Sequence, residues 1–231
     1  NICYLFCGIL IMRFKLVDLS KFSFLFIGLL LAAKLLAPPH SNNQIHSKTW
    51  AETVFDSMSV DERLAQLFMI EVRPTYGPKH IANVEKSIRD HQVGGVVFFK
   101  GNPTEQVKLT NRFQALSKTK MLVAIDGEWG LAMRLSNTIS YPYQLGLGSI
   151  ADNKIIYEMG REIGRQCKRM GIHVNFAPVI DVNNNPNNPV INYRSFGEDP
   201  TKVSEKGWAY AKGMQDEGII ACAKHFPGHG D

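Results

Sequence analysis

Apolar and polar positions along this chain change their period repeatedly, and each change marks an element. Ser59 followed three residues later by Glu62 forms a capping box, in which each side chain meets the other residue's backbone N–H. Leu64, Leu67 and Phe68 then predict an apolar helical face running into "LFMIEV" at 67–72. Ile81, Val84 and Ile88 stand at helical spacing, and "VGGVVFF" at 93–99 is an unbroken apolar run, the pattern of a strand buried on both faces. Asn102 is placed to cap the next helix, with Pro103 at its first position and Leu109, Phe113 and Leu116 on its inner side. "MLVAID" at 121–126 predicts a strand, and Ile156, Met159, Ile163, Cys167 and Met170 predict a helix. "IHVNFAPVIDV" at 172–182 predicts another strand. Asp199 and Pro200 open a last helix carrying Val203, Gly207, Tyr210 and Met214, before "GIIACAKHF" at 218–226.

The alternation of strand and helix implies a parallel sheet, because parallel neighbours need a crossover that a helix supplies. A doubly wound sheet uses the same elements, but no GxGxxG follows the first strand. Polar residues instead recur just past the strand ends: Lys100, Asp126, Asp181, Lys224 and His225. In a barrel those positions converge on the C-terminal mouth, where active sites sit. The expected fold class is therefore α/β, a TIM-type (β/α)8 barrel truncated after about the fifth strand. At 231 residues the chain is somewhat short of the roughly 250 usual for that fold.

Upstream of this alternation the pattern is different. From Met12 a basic lead is followed by an apolar run from Phe22 to Ala33, then small residues and prolines, as in an export signal. The run is short for a membrane span, which takes about 20 apolar residues. Residues 1–37 thus read as a leader with a signal peptide or membrane anchor, 38–50 as a polar linker, and 51–231 as the incomplete barrel. Export to the periplasm or cell envelope is expected.

Composition narrows the functional classes. Hydrophobic residues make up 45% and charged residues 20%, as in a globular domain. Part of the +5 net charge sits in the leader at Arg13, Lys15, Lys21 and Lys34, and no Lys/Arg run is interleaved with aromatics, so nucleic acid is not an expected partner. Of four cysteines, Cys3 and Cys7 lie in the leader, leaving Cys167 and Cys222 with neither a disulfide framework nor a CxxC.

Three stretches carry chemistry. In "AIDGEWGLAMRL", Asp126 stands at a strand end with Arg134 eight residues on. A carboxylate there can accept from two neighbouring sugar hydroxyls while a guanidinium donates to adjacent oxygens; a surface ion pair would use the same spacing. Trp129 can stack on a sugar face or simply pack. In "PVIDVNNNPNNPVINYRSFGEDP", the Asn and Asp residues suit a structured loop, Asp181 reads as a brace or a site residue, and Arg194 is the candidate for binding. Glu198 and Asp199 suit the helix start that follows. In "AKHFPGHGD", Lys224 and His225 are consecutive, so both can face one site only if the backbone bends, and Phe226-Pro227 offers a place for it. His225, His229 and Asp231 make H-x3-H-x-D, but a Gly-Pro loop cannot supply the helical H-E-x-x-H geometry, and no metal is expected.

Together these stretches resemble glycoside hydrolase family 3, its N-terminal barrel domain, and most closely the β-N-acetylglucosaminidase (β-hexosaminidase) branch. The resemblance runs from about residue 55 and includes "RLAQLFMI", "VGGVVFF", "FAPVIDV", "RSFGEDP" and, most specifically, "KHFPGHGD". Carried over position by position, it implies that Asp126, Arg134, Arg194, Lys224 and His225 bind the terminal non-reducing sugar. The branch commonly has D-Q-E-G-G where this chain has Asp126-Gly127-Glu128-Trp129-Gly130, so the pocket edge departs from the pattern.

The resemblance also implies a retaining mechanism without a cofactor, in which a carboxylate attacks the anomeric carbon and water later releases the sugar. It places the acid/base Asp-His pair just after "PGHGD" and the nucleophilic Asp near a later strand, so no catalytic residue is expected within this chain and the fragment itself is expected to be inactive. The expected substrate is a peptidoglycan fragment or chitin-like oligosaccharide. Familiar members of the branch recycle peptidoglycan fragments in the cytoplasm, whereas this leader argues for export. The alternatives are a β-glucosidase of the same family, a metal-dependent barrel hydrolase, and a noncatalytic sugar-binding remnant.

Overall fold

The computed structural model describes residues 47–231; the leader and most of the linker lie outside the described residues. Two short helices lead in, α1 (Trp50–Ser57) and α2 (Val60–Ala65), each opened by a complete capping box, Thr49 with Glu52 and Ser59 with Glu62. The chain then alternates: β1 (Met69–Val72), α3 (Pro78–His91), β2 (Gly95–Phe98), α4 (Pro103–Leu116) and β3 (Leu122–Ile125). It continues through α5 (Gln144–Gly148), α6 (Asn153–Arg169), β4 (Val174–Asn175), α7 (Pro200–Asp216) and β5 (Ile220–Ala221). All strand pairs are parallel and the sheet order is β1-β2-β3-β4-β5. Strictly sequential order is what a barrel requires, whereas a doubly wound sheet reverses at a switch point.

The two faces of the sheet do different work. Val72, Val96, Phe98, Val123 and Ile125 point outward into the main core, where they meet Ile81 and Ile88 of α3, Phe113 of α4, Ile156, Ile163 and Cys167 of α6, and Tyr210 of α7. Burial pushes the Cys167 thiol up to about 12, so it packs as an apolar group. The alternate residues face inward. Val97, Ala124, Val174 and Ile220 are register partners in one layer, and a period of two puts Phe99, Asp126, Phe176 and Cys222 one layer nearer the mouth. A carboxylate thus replaces the apolar residue expected of a barrel interior at its top layer.

Two sequence expectations need correction. Leu67 and Phe68 do not extend a helical face: the helix stops at Ala65, and both side chains are exposed at the entry to β1, an edge strand among the described residues. The strand expected over 172–182 pairs as a strand only at Val174–Asn175. Pro178 has no N–H to donate to a ladder, and past Asn175 the chain keeps to β5's extension only through the Cys222 N–H on the Ala177 carbonyl, at 2.9 Å, and the isolated bridge of Val179 with Lys224.

Phe113 is fully buried and stacks on Phe98 with ring centroids 6.4 Å apart. Phe113→Ala is expected to lower unfolding free energy by about 3–5 kcal/mol. Urea denaturation of the two proteins measures this, and a difference below about 1 kcal/mol would show that α4 is not seated as described.

Candidate functional site

The turn after β3 is held from behind. The fully buried Asn175 accepts from the Gly127 N–H at 2.8 Å and donates to the Gly127 carbonyl at 3.2 Å, so one side-chain amide stands in for a strand neighbour. The Tyr210 hydroxyl, also buried, reaches the carbonyls of Gly127 and Glu128 at 3.1 and 3.2 Å. Gly130 adopts φ +85°, and a Cβ there would stand 2.7 Å from the Tyr141 ring, so only glycine closes the turn. These contacts fix the backbone from which Asp126 and Glu128 project.

Five charged side chains from four segments then interlock. Arg134 donates to Asp126 Oδ2 at 2.8 Å. Lys224 Nζ lies 2.8 Å from Asp126 Oδ1 and 2.7 Å from Glu128 Oε1. Arg194 holds Glu128 with two prongs, Nη2 to Oε1 at 2.7 Å and Nε to Oε2 at 2.9 Å. The Arg134 guanidinium also stacks on Phe99, 4.6 Å from the ring centroid.

Burial alone would raise the Asp126 carboxyl, but Lys224 and then Arg134 outweigh it and hold its pKa below the ordinary value. Burial likewise works against the Glu128 carboxylate, and the hydrogen bonds and charges of Arg194 and Lys224 bring its pKa below the ordinary value too. Glu128 in turn raises the pKa of Arg194. Both carboxylates are therefore ionised at neutral pH.

The terminal stretch is organised by Asp181, whose side chain is wholly buried. It accepts from the His225 N–H, from the His229 N–H at 2.8 Å, and meets His225 Nδ1 at 2.6 Å. The Asn188 amide donates to the carbonyls of His229 and Asp231, while its oxygen takes the N–H groups of Val190 and Ile191. The bend expected at Phe226-Pro227 is present: the peptides Lys224–His225 and Phe226–Pro227 are both cis.

The result is a pocket of about 520 Å³ lined by charged and apolar walls. Asp126, Arg134, Arg194, Lys224 and His225, the five residues expected to bind, all line it, as do Phe176 and Cys222. Asp126 and Arg134 do form an ion pair, but as a pocket wall, each side chain only 18% exposed. Asp181 braces the loop, and Asp199 caps α7 through the N–H groups of Thr201 and Lys202. Lys100 is exposed and does not line the pocket. Trp129 lines it while packing edge-on against Tyr143.

Sequence reasoning passed over Glu128. The available signal was a second carboxylate two residues after Asp126 in a glycine-flanked turn, opposite a surplus of cations. Among the described residues, no group of three or more His, Cys, Asp or Glu side chains is arranged to hold a metal ion, and Nδ1 of His225 is engaged by Asp181.

The profile of the glycosyl hydrolase family 3 N terminal domain matches residues 59–231. The chain belongs to glycosyl hydrolase family 3. That family's N-terminal domain is a TIM-like (β/α) barrel, in keeping with the sequential parallel strands and the mouth-layer carboxylate. The chain is 38% identical over 157 residues to beta-hexosaminidase A of Pseudoalteromonas piscicida, covering 62% of this chain and 26% of that one. The family 3 beta-N-acetylglucosaminidase of Paenibacillus sp. str. FPU-7 superposes with a TM-score of 0.69 at 33% identity, over 76% of this chain and 34% of that one. The beta-glucoside phosphorylase BglX superposes with a TM-score of 0.71 at 26% identity, over 78% and 32%. The family 3 chain described here therefore spans between a quarter and about a third of the length of these relatives.

Because the folded pKa values of Asp126 and Glu128 lie below those of the unfolded chain, their ionised pairs stabilise the fold above the ordinary carboxylate range, about pH 4, and that contribution is lost as pH falls through the folded values. Glu128→Gln is expected to cost about 3 kcal/mol at pH 7 by leaving Arg194 and Lys224 short of a partner. The gap to wild type should begin to shrink as pH falls below about 4, where the unfolded chain takes up the proton first, and close only as pH falls through the lowered folded value of Glu128. Urea midpoints across pH check both; a pH-independent gap would show that the lost charge is not the cause.

Proposed function

We propose that this pocket is the subsite for a terminal non-reducing N-acetylglucosamine residue, in an exported glycosidase that acts on peptidoglycan fragments or chitin-like oligosaccharides. The observation that carries the reading is the ionised Asp126, held between Lys224 and Arg134 at the mouth of the barrel. Its carboxylate can accept from two adjacent sugar hydroxyls, while Arg134, Arg194 and Lys224 donate to oxygens on the same ring. Nδ1 of His225 is taken by Asp181, which leaves Nε2 as its free polar edge for a hydroxyl. The beta-hexosaminidase and beta-N-acetylglucosaminidase names among the relatives support the N-acetylated sugar.

In this reading residues 51–231 are the part of the barrel that holds the sugar, residues 1–37 direct export or anchor the protein, and 38–50 join the two. The retaining chemistry falls to an acid/base pair and a nucleophile beyond Asp231, so these residues bind and orient rather than react. The chain's own contribution is positional: fixing the terminal ring places its anomeric carbon for attack. A β-glucosidase-type specificity is the second reading, favoured by the superposition on the beta-glucoside phosphorylase.

The test compares hydrolysis of an aryl N-acetyl-β-glucosaminide and an aryl β-glucoside by the protein expressed from its whole gene. The glucosaminide is expected to be preferred by at least about tenfold in kcat/KM, and Asp126→Asn to lower that value by about 100-fold through loss of charge-assisted hydrogen bonds. Equal rates would favour the second reading, and an unaffected Asp126→Asn would remove the pocket from the reaction.

A further inference from the structure

Beside the charged cluster three aromatic rings form a continuous row. Trp129 lines the pocket, and Tyr143 packs edge-on against it with centroids 4.8 Å apart and planes at 86°. Tyr193 continues the row, 4.6 Å from Tyr143 at 48°. Neither tyrosine lines the pocket itself, and each is 47% exposed. Rings of this size usually bury most of their surface, so two half-exposed tyrosines continuing from a partly buried tryptophan beside a polar pocket form a surface built for contact.

The backbone around each ring is pinned. The N–H of Tyr141 donates to the Trp129 carbonyl at 3.1 Å. Next to Tyr143, the buried Gln144 exchanges two hydrogen bonds with the Val179 backbone. Tyr193 lies in the 3-10 turn Asn192–Arg194, between the fully buried Ile191 and Arg194, which Glu128 clamps. The rings therefore stand on segments already ordered before anything binds, which reduces the entropy a ligand must offset.

A pyranose has an apolar side formed by its ring C–H groups and a polar rim of hydroxyls. The C–H side is attracted to the electron-rich face of an aromatic ring, and the rim needs hydrogen-bonding partners. The charged pocket supplies the second kind of contact and the aromatic row the first. We propose that Trp129, Tyr143 and Tyr193 form a platform for the second sugar of an oligosaccharide whose terminal residue occupies the charged pocket. The inference rests on the pocket being a sugar site, and it extends that site from one ring to two or more.

The experiment is calorimetric binding of N-acetylglucosamine and of its β-1,4-linked trimer to the 231-residue chain, with the sugars verified intact afterwards. Wild type is expected to bind the trimer about tenfold tighter than the monosaccharide or better. Tyr143→Ser/Tyr193→Ser should lose that advantage while binding the monosaccharide as wild type does. Tyr193→Ser alone, the milder change, should lose part of it and serves if the double variant does not fold. A trimer advantage that survives both variants, or a wild type that binds the two sugars equally, overturns the platform. Wild type that binds neither sugar overturns the pocket assignment itself and the platform with it.

Discussion

The ammonium of Lys224 lies between the carboxylates of Asp126 and Glu128, and through those two contacts the end of β5 is joined to the end of β3 across β4. Without a cation at that point two carboxylates two residues apart would face each other in a partly buried layer, where burial already works against their ionisation. With it, the arrangement extends outward: Asp126 can take Arg134, and Glu128 can take Arg194 from the long loop before α7. Three cations then share two carboxylates. The site is left with donors to spare toward a ligand that brings acceptors.

How much of this can be read from residues alone depends on the range of the interaction. Helix starts are legible because their hydrogen bonds are local: Ser59 with Glu62, Asn102 before Pro103, and Asp199 before Pro200 each cap the helix that follows. β2 and β3 are legible because burial on both faces leaves a continuous apolar run. The short β4 is not, since its apolar residues continue past the point where Pro178 ends the ladder. Leu67 and Phe68 mislead for a related reason: their spacing suits a helix, but the chain has already turned into β1.

The site divides in the same way. Asp126, Lys224 and His225 are marked by their places at strand ends, Arg134 by its spacing from Asp126 and Arg194 by its place in the long loop, and the resemblance to the family implies one shared role for all five. Glu128 escapes because its partner Arg194 is 66 residues away, and no local pattern states that a turn carboxylate will be neutralised from that distance. Asp181 was ambiguous until the fold brought the backbone N–H groups of His225 and His229 onto it. Pairing is a property of the assembled barrel mouth, whereas candidacy is a property of position along the strand.

Asn175 and Tyr210 grip the turn that carries Asp126 and Glu128, yet neither is among the residues that line the pocket. Of the three aromatic side chains beside the charged cluster, Trp129 stands on that same turn, whereas Tyr143 comes from the approach to α5 and Tyr193 from the loop before α7. Changing the Tyr143 or Tyr193 side chain alters that rim without touching the hydrogen bonds by which Asn175 and Tyr210 hold the charged floor beneath it.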